Sequence, residues 1–134
     1  MKIDGRCHCG NIAYEAVVDP DAVGICHCTD CQTLSGSGYR AVVAVTAANF
    51  RLLRGEPKIY VKTADSGAKL AQAFCLDCGT PIYASAVADP PVYSLRIGAI
   101  SQRRELRPGR QIWCRSALPW SMDLHRIAMI DGQP

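Results

Sequence analysis

Long hydrophobic runs are absent from this chain, although hydrophobic residues make up 49% of its 134 positions. A helix that spans a bilayer needs ~20 consecutive apolar residues, and no segment approaches that length. Residues 1–5 also lack the apolar stretch of a secretory signal. We therefore expect a soluble, cytoplasmic protein with no membrane partner. Because glutathione keeps thiols reduced in the cytoplasm, clustered cysteines there indicate metal binding rather than disulfide bonds.

A strong charge of one sign is also lacking. The formal net charge is +3, and no basic stripe is interleaved with the aromatic residues, which are only 7% of the chain. Nucleic-acid binding is therefore not expected. Eleven of the 15 basic residues are arginines, whose forked guanidinium groups match carboxylates. They form either a solvated surface or a rim that attracts a small anionic substrate.

Helical periodicity is scarce, and short β-type segments prevail. The strand candidates are residues 11–18, 40–45, 50–54, 58–63, 68–74, 92–97 and 110–114. Turns that contain glycine or proline separate many of them, which is typical of antiparallel β domains. The helix candidates are 29–34 and 122–127. With no linker or low-complexity segment, residues 1–134 are predicted to form a single, mainly β domain with antiparallel sheets and little helix.

Cysteine, by contrast, is plentiful and clustered. Seven of the eight cysteines form three groups: Cys7 and Cys9; Cys26, Cys28 and Cys31; Cys75 and Cys78. Thiols one or two residues apart suit a soft divalent cation, usually zinc at about 2.3 Å from sulfur. The two pairs complete a set of four ligands, whereas the trio is one ligand short. Closed zinc sites stabilise folds and open ones perform chemistry, so the sequence predicts two zinc ions with different roles.

The two pairs have the spacing of metal half-sites. Cys75 and Cys78 are followed by Gly79, which keeps side-chain atoms away from the approaching backbone donors. Cys7 and Cys9 are too far apart in extended chain, so the backbone must bend at Gly10. A zinc ion shared by both pairs would join the N-terminal segment to the middle of the chain. We therefore predict a structural zinc on these four cysteines.

The trio of Cys26, Cys28 and Cys31 has the general plan of a catalytic zinc site, with the fourth position open. Three thiolates around a divalent ion sum to −1, so the ion would be a weak Lewis acid for making hydroxide. A soft incoming thiol suits such a site better. Its pKa, ordinarily about 8.5, would fall there, and the resulting thiolate would attack a carbonyl carbon.

Other interpretations of the trio stay open. A fourth protein ligand from His27, Cys114 or His125 would close the site and make it structural, although strand alternation points His27 away from Cys26 and Cys28. The thiols would otherwise be redox-active without metal, or zinc would move between the two sets. His8 and His27 are expected to pack or hydrogen-bond near the ligands. The lone Cys114, together with Trp113 and Trp120, is expected in the core.

In order and spacing, the cysteine groups resemble the signature of the glutathione-dependent formaldehyde-activating family, which includes centromere protein V-like zinc proteins. The matching stretches are residues 7–10, 26–31, 74–80, 98–100, 108–113 and 119–120. The resemblance implies a zinc fold with two antiparallel sheets, related to the small Rab-binding zinc chaperones. It also implies a structural zinc on the two pairs and a catalytic zinc on the trio. The implied activity is a carbon–sulfur lyase reaction, the reversible addition of glutathione to formaldehyde.

The resemblance supports the assignment of the metal sites more strongly than the assignment of the substrates. Many relatives have a basic residue after the trio, whereas this chain has Gln32. A partner for a glutathione carboxylate would then come from Arg6, Arg40 or Arg115. The candidate proton donors are the hydroxyls of Ser35, Ser37 and Tyr39, which lie just beyond the trio in the sequence.

Two rival functions use the same zinc scaffold. One is a lyase that acts on a different thiol or carbonyl compound. The other is a non-catalytic protein-interaction module, which would have a closed trio site and exposed aromatic residues around Trp113 and Trp120. The sequence does not indicate the oligomeric state.

Overall fold

The computed structural model describes residues 1–134 as two β-sheets with one short α-helix. The strands are β1 (Lys2–Arg6), β2 (Ala13–Val17), β3 (Val23–Cys26), β4 (Arg40–Thr46), β5 (Phe50–Arg54), β6 (Lys58–Thr63), β7 (Lys69–Phe74), β8 (Pro81–Ala86), β9 (Val92–Arg96) and β10 (Arg110–Ile112). Helix α1 spans Thr29–Ser35. Short 3-10 turns occupy Pro20–Ala22, Ala47–Asn49, Ile97–Ala99, Cys114–Ser116, Pro119–Met122 and Leu124–Arg126.

The smaller sheet has the strand order β1-β2-β5, and the larger has the order β10-β3-β4-β9-β8-β7-β6. All pairs are antiparallel except β10 with β3, which is parallel. The mainly β architecture with little helix is therefore confirmed, with one parallel pair at an edge. Helix α1 has only seven residues, and no helix combines the length and apolarity needed to cross a bilayer.

Strands β1, β3 and β8 are not predicted by the sequence pattern, because their sequences carry weak β signals. The segment of β1 contains two charged residues and a glycine, β3 contains Gly24, and β8 begins with a proline. The strand candidate at residues 110–114 ends earlier than expected, at Ile112. The helix candidate at 29–34 is confirmed as α1, whereas residues 122–127 form only 3-10 turns.

The hydrophobic core lies between the two sheets. Alternation in the larger sheet places Val43 of β4 opposite Leu95 of β9, and both are fully buried. Tyr14 of the smaller sheet is also fully buried and packs against Phe50, with ring centroids 5.7 Å apart. Because successive strand residues point to opposite faces, the residues next to Val43 and Leu95 face away from this core. That second face of the larger sheet lies under α1 and forms the candidate site.

Three residues of the C-terminal segment that the sequence predicts in the core are exposed. Cys114 is exposed, and Trp113 and Trp120 are 42% and 53% exposed. Edge strand β10 pairs only with β3, and the residues after it run as 3-10 turns along the surface, so no second layer covers them. Arg115 stacks over the Trp113 ring at 4.7 Å. The Trp120 ring packs closely against the backbone of Gly38, which a methyl group there would disturb.

Candidate metal centres

The first cysteine cluster joins two hairpin turns that are distant in the sequence. Cys7 and Cys9 lie in the β1–β2 turn, and Cys75 and Cys78 lie in the β7–β8 turn. All four sulfur atoms lie within 4.8 Å of one another. The structure thus brings together the four residues that the sequence predicts as one ligand set.

The sulfur positions fit a tetrahedral zinc ion. The Sγ atoms of Cys7 and Cys9 are 3.6 Å apart, and those of Cys9 and Cys75 are 3.7 Å apart. A tetrahedron with zinc–sulfur bonds of about 2.3 Å has edges of about 3.8 Å. The donor set is therefore compatible with zinc in both chemistry and spacing.

Tight turns at two glycines bring each pair of sulfurs to the same side. Gly10 and Gly79 have φ angles of +83° and +77°, values that residues with a Cβ atom rarely adopt. The amide of Gly79 donates to the Cys75 carbonyl at 2.8 Å, and the amide of Ile12 donates to the Cys7 sulfur at 3.2 Å. These bonds close the turns and direct an amide donor at one sulfur.

Thr80 connects the two turns, a role that the sequence pattern does not predict. Its Oγ1 accepts a hydrogen bond from the His8 amide at 3.0 Å and lies 3.2 Å from the Cys78 sulfur. The Thr80 hydroxyl and nearby amide donors lower the pKa of the Cys78 thiol to about 5. Only its position directly after the Cys-x-x-Cys-Gly motif would have suggested this role. A second bridge runs from Asn11 Nδ2 to Asp77 Oδ2 at 2.8 Å.

The trio lies where β3 leads into α1. Cys26 is the last residue of β3, Cys28 is the N-cap of α1, and Cys31 lies in its first turn. The Cys31 amide donates to the Cys28 sulfur at 3.3 Å, so this thiol occupies the position that a serine hydroxyl often takes at a helix start. The three sulfurs lie within 4.8 Å of one another.

No fourth histidine, cysteine or carboxylate joins the trio. His27 is buried and points away, as the alternation predicts, with its Nε2 2.7 Å from Gln111 Oε1. Cys114 and His125 belong to the exposed C-terminal segment. The protein therefore leaves the fourth position of this cluster free of its own ligands.

Electrostatics shift the pKa values of the trio thiols in opposite directions. Burial and the neighbouring thiols raise the pKa of Cys31 to about 12. Burial acts against ionisation of Cys28 as well, but the Cys31 amide, the neighbouring thiols and Lys62 together lower its pKa. The Lys62 ammonium, whose side chain is 18% exposed, also holds Asp30 at 2.9 Å. This ion pair ties α1 to β6.

The arginines proposed as carboxylate partners lie in different places. Arg6 and Arg115 are exposed, and Arg115 stacks over Trp113. Arg40 is buried and lies directly opposite Cys26 in the β3–β4 pairing. Because residues opposite each other in a sheet project from the same face, Arg40 shares the face that carries the trio. It is the one member of this group that the structure places beside the cluster.

Gln32 and the candidate proton donors have structural contacts. Gln32 Nε2 lies 2.9 Å from the carbonyl oxygens of His27 and Ser116, which ties α1 to the C-terminal segment. The Ser35 hydroxyl lies 3.3 Å from the carbonyl oxygens of Gln32 and Tyr39. Tyr39 packs against His27 with ring centroids 5.5 Å apart. Ser37 is exposed in the turn after α1.

Comparison with solved structures identifies a similar fold. A crystal structure of a Rhodobacter sphaeroides protein, determined in a structural genomics programme, matches with a TM-score of 0.62 and 18% sequence identity. The match covers 81% of this chain and 98% of that one. At this identity the likeness concerns the fold alone.

Comparison with family models is more specific. The model described as glutathione-dependent formaldehyde-activating enzyme matches residues 2–116, which include both cysteine clusters and every strand. Membership supports a role of this general type. The chain belongs to the glutathione-dependent formaldehyde-activating enzyme family.

Proposed function

We propose that this protein is a carbon–sulfur lyase that reversibly adds glutathione to a small aldehyde such as formaldehyde. The single observation that carries the proposal is the trio of Cys26, Cys28 and Cys31, whose sulfurs converge without a fourth protein ligand. A closed cluster would have favoured a purely structural role. Family membership supports the same general chemistry.

Two zinc ions per chain are part of the proposal. The four-cysteine cluster has the closed ligand set of a structural site. The trio has the open set of a catalytic site, and its thiols are the residues that would hold the metal there. Zinc bound by the trio would supply a soft Lewis acid that favours the thiolate form of an incoming thiol.

The protein's own residues would orient the reactants and shield them from water. Between α1 and the larger sheet is a cavity of about 450 Å³, with Leu34 on the helix side and Gln72 on the sheet side. Lys62 and Arg40 add positive charge beside the trio. This field stabilises the anionic sulfur that attacks. Holding both reactants together can lower the barrier by several kcal/mol, as in well-oriented intramolecular reactions.

The reaction balances without an oxidant or reductant. A bond forms between the thiol sulfur and the carbonyl carbon, and the thiol proton ends on the carbonyl oxygen as a hydroxyl group. The reverse reaction breaks the same bond. The medium would be the cytoplasm, where glutathione keeps thiols reduced.

An NMR exchange experiment with glutathione and formaldehyde would test the proposal, together with zinc analysis by mass spectrometry. We expect two zinc ions per chain and faster exchange between free and adduct formaldehyde than in buffer. Cys28→Ser should lose one zinc and the acceleration, while retaining the helix cap. Cys114→Ser, an exposed cysteine outside both clusters, is the matched control and should match the parent. A folded Cys28→Ser protein that lacks the trio zinc yet keeps full acceleration would contradict the proposal.

Two zinc ions without acceleration would instead favour a different thiol or carbonyl compound. A glyoxylate or methylglyoxal substrate, or another low-molecular-weight thiol, would then be assayed in the same way.

A second candidate function, a protein-interaction module, is favoured by the exposed apolar surface of the C-terminal segment. Its large exposed hydrophobic residues are Ile112, Trp113, Trp120, Met122, Leu124, Ile127, Met129 and Ile130. Exposed apolar patches mark interaction sites in many proteins. An interaction module would bind zinc without accelerating the exchange for any of these thiols and carbonyl compounds, which separates it from a lyase.

A further inference from the structure

Two buried arginines lie on the sheet face under α1. Arg40 of β4 is 6% exposed and Arg96 of β9 is 8% exposed. Charged side chains are rarely buried to this degree unless an opposite charge accompanies them. The pair therefore needs a physical explanation.

The two guanidinium groups share one neutral acceptor. Gln72 Oε1 accepts from Arg40 Nη1 at 3.2 Å and from Arg96 Nη2 at 2.8 Å. A guanidinium group carries about five N–H donors. Neither arginine side chain makes another hydrogen bond within the protein. Arg96 Nε is fully buried without any partner. Most of the donor capacity at this place is therefore unused.

No carboxylate of the protein neutralises the pair. The ion pairs are Arg51 with Glu15, Lys62 with Asp30, and Arg126 with Asp123. Guanidinium groups are positive at neutral pH, although burial lowers the pKa of Arg40 and brings that of Arg96 to about 9. The acidic groups whose charge acts on the two arginines are thiols of the trio. Three thiolates with one divalent ion sum to −1, which leaves one of the two guanidinium charges uncompensated.

The strand pairing directs both arginines to one cavity. Arg96 lies opposite Val42, two residues from Arg40 on the same strand, so the two side chains project from the same face. They line the cavity of about 450 Å³, together with Gln72, Leu34, Phe74 and Tyr60. The cavity therefore has cationic forks and a partly aromatic wall. Such a combination suits a small organic anion, because guanidinium groups match the geometry of carboxylates.

We propose that this cavity binds the carboxylate group of a reactant between Arg40 and Arg96. The identity of the reactant rests on the proposed function: the carboxylate belongs to the thiol, as in glutathione, or to the carbonyl compound, as in a 2-oxo acid of which glyoxylate is the smallest. Either source would place the reacting atoms near the trio, since Arg40 lies opposite Cys26.

Calorimetric titration of the zinc-loaded protein with non-reacting partners separates the two sources. Glyoxylate without thiol, with neutral glycolaldehyde as its counterpart, tests the carbonyl arm. S-methylglutathione, with its diethyl ester as counterpart, tests the thiol arm because its sulfur cannot ionise. We expect the carboxylate form to bind more tightly than its neutral counterpart in at least one arm. Equal binding of charged and neutral forms in both arms would overturn the proposal.

Two substitutions locate the binding. Arg96→Gln should weaken the favoured carboxylate by about 10- to 100-fold, the effect of losing a charge-assisted hydrogen bond. Arg104→Gln removes the same charge from an exposed arginine without hydrogen bonds and should leave the affinity unchanged. Unchanged affinity in Arg96→Gln, with the protein folded by circular dichroism, would contradict the assignment.

Gln72→Glu provides a second test of the proposal if Arg96→Gln does not fold. The new carboxylate would take the place of the missing anion between the arginines, with little change in size. We expect Tm to rise by at least about 3 °C and binding of the favoured carboxylate to fall at least tenfold. A lower Tm with binding retained would overturn the proposal.

The binding measurements test this inference separately from the proposed function. Accelerated formaldehyde exchange without carboxylate binding would remove the inference and retain the lyase. Carboxylate binding that depends on Arg96 without acceleration would retain the inference and remove the formaldehyde reaction.

Discussion

Substitution of one ligand in each cysteine cluster should have unequal effects on stability. Cys9→Ser removes a ligand of the four-cysteine cluster, and Cys28→Ser removes one from the trio. Neither cysteine is fully buried, so the loss of packing is small in both variants. Serine also preserves the N-cap of α1 in Cys28→Ser. The difference between the variants therefore reports mainly on the loss of each metal cross-link.

The size of each expected loss of stability follows from the sequence distance that the cluster spans. The sulfurs of Cys9 and Cys75 meet across 66 positions, and cross-linking a loop of this length restricts the unfolded chain by about 4 kcal/mol. The trio closes a loop of only about six residues, for which the same relation predicts about 2 kcal/mol. Cys9→Ser should therefore lower the free energy of unfolding by about 2 kcal/mol more than Cys28→Ser. The total free energy of unfolding of a typical domain is only about 5–15 kcal/mol.

Urea unfolding followed by far-UV circular dichroism would measure the free energies, with zinc content determined for each variant. Cys114→Ser serves as the baseline and should stay within about 0.5 kcal/mol of the parent, because it is an exposed cysteine outside both clusters. The comparison applies once each ligand variant is shown to have lost one zinc ion per chain.

Equal destabilisation by Cys9→Ser and Cys28→Ser, with one zinc lost from each, would refute this reasoning. Greater destabilisation by Cys28→Ser would do the same. Either result would mean that the sequence distance spanned by a cluster does not set its contribution to the free energy of unfolding.

Three further substitutions test individual contacts. Thr80→Val removes the hydroxyl between the His8 amide and the Cys78 sulfur, so zinc affinity of the four-cysteine cluster should fall by about 10- to 100-fold in a chelator competition; an unchanged affinity would show that Thr80 does not support the ligands. Gly5→Ala brings a methyl group into overlap with the ring of the buried Tyr14, which should cost about 1–3 kcal/mol in urea unfolding, whereas Gly98→Ala meets open space and should be nearly neutral. Gln32→Met removes the amide that contacts the carbonyls of His27 and Ser116, and it should cost about 1–3 kcal/mol; a neutral effect would mean that α1 does not depend on this connection.

Much of the fold class and of the ligand chemistry was predictable from local pattern. The alternation in residues 58–63 and the apolar run in 40–45 indicate strands because side-chain direction depends only on neighbouring backbone angles. The helix at Thr29–Ser35 was likewise placed correctly. Strands β1, β3 and β8 were missed, since glycine, proline and charged residues within them weaken the local signal and pairing with neighbouring strands overrides it.

Burial near the C-terminus could not be predicted in this way. Trp113, Trp120 and Cys114 have the chemical character of core residues, yet they are exposed. Whether an apolar residue is covered depends on which element packs over it. The local sequence of an edge strand such as β10 contains no information about a missing neighbour.

The sequence by itself determined the ligand types, their grouping and the family resemblance, because the spacing of thiols along the chain limits which of them can reach one ion. Only the tertiary structure decided that Thr80 connects the two turns of one cluster and that no fourth ligand reaches the other. It alone placed Arg40 and Arg96 at one acceptor. Those two residues are 56 positions apart in the sequence, and strand register, set by cooperative packing of the whole sheet, brings them together.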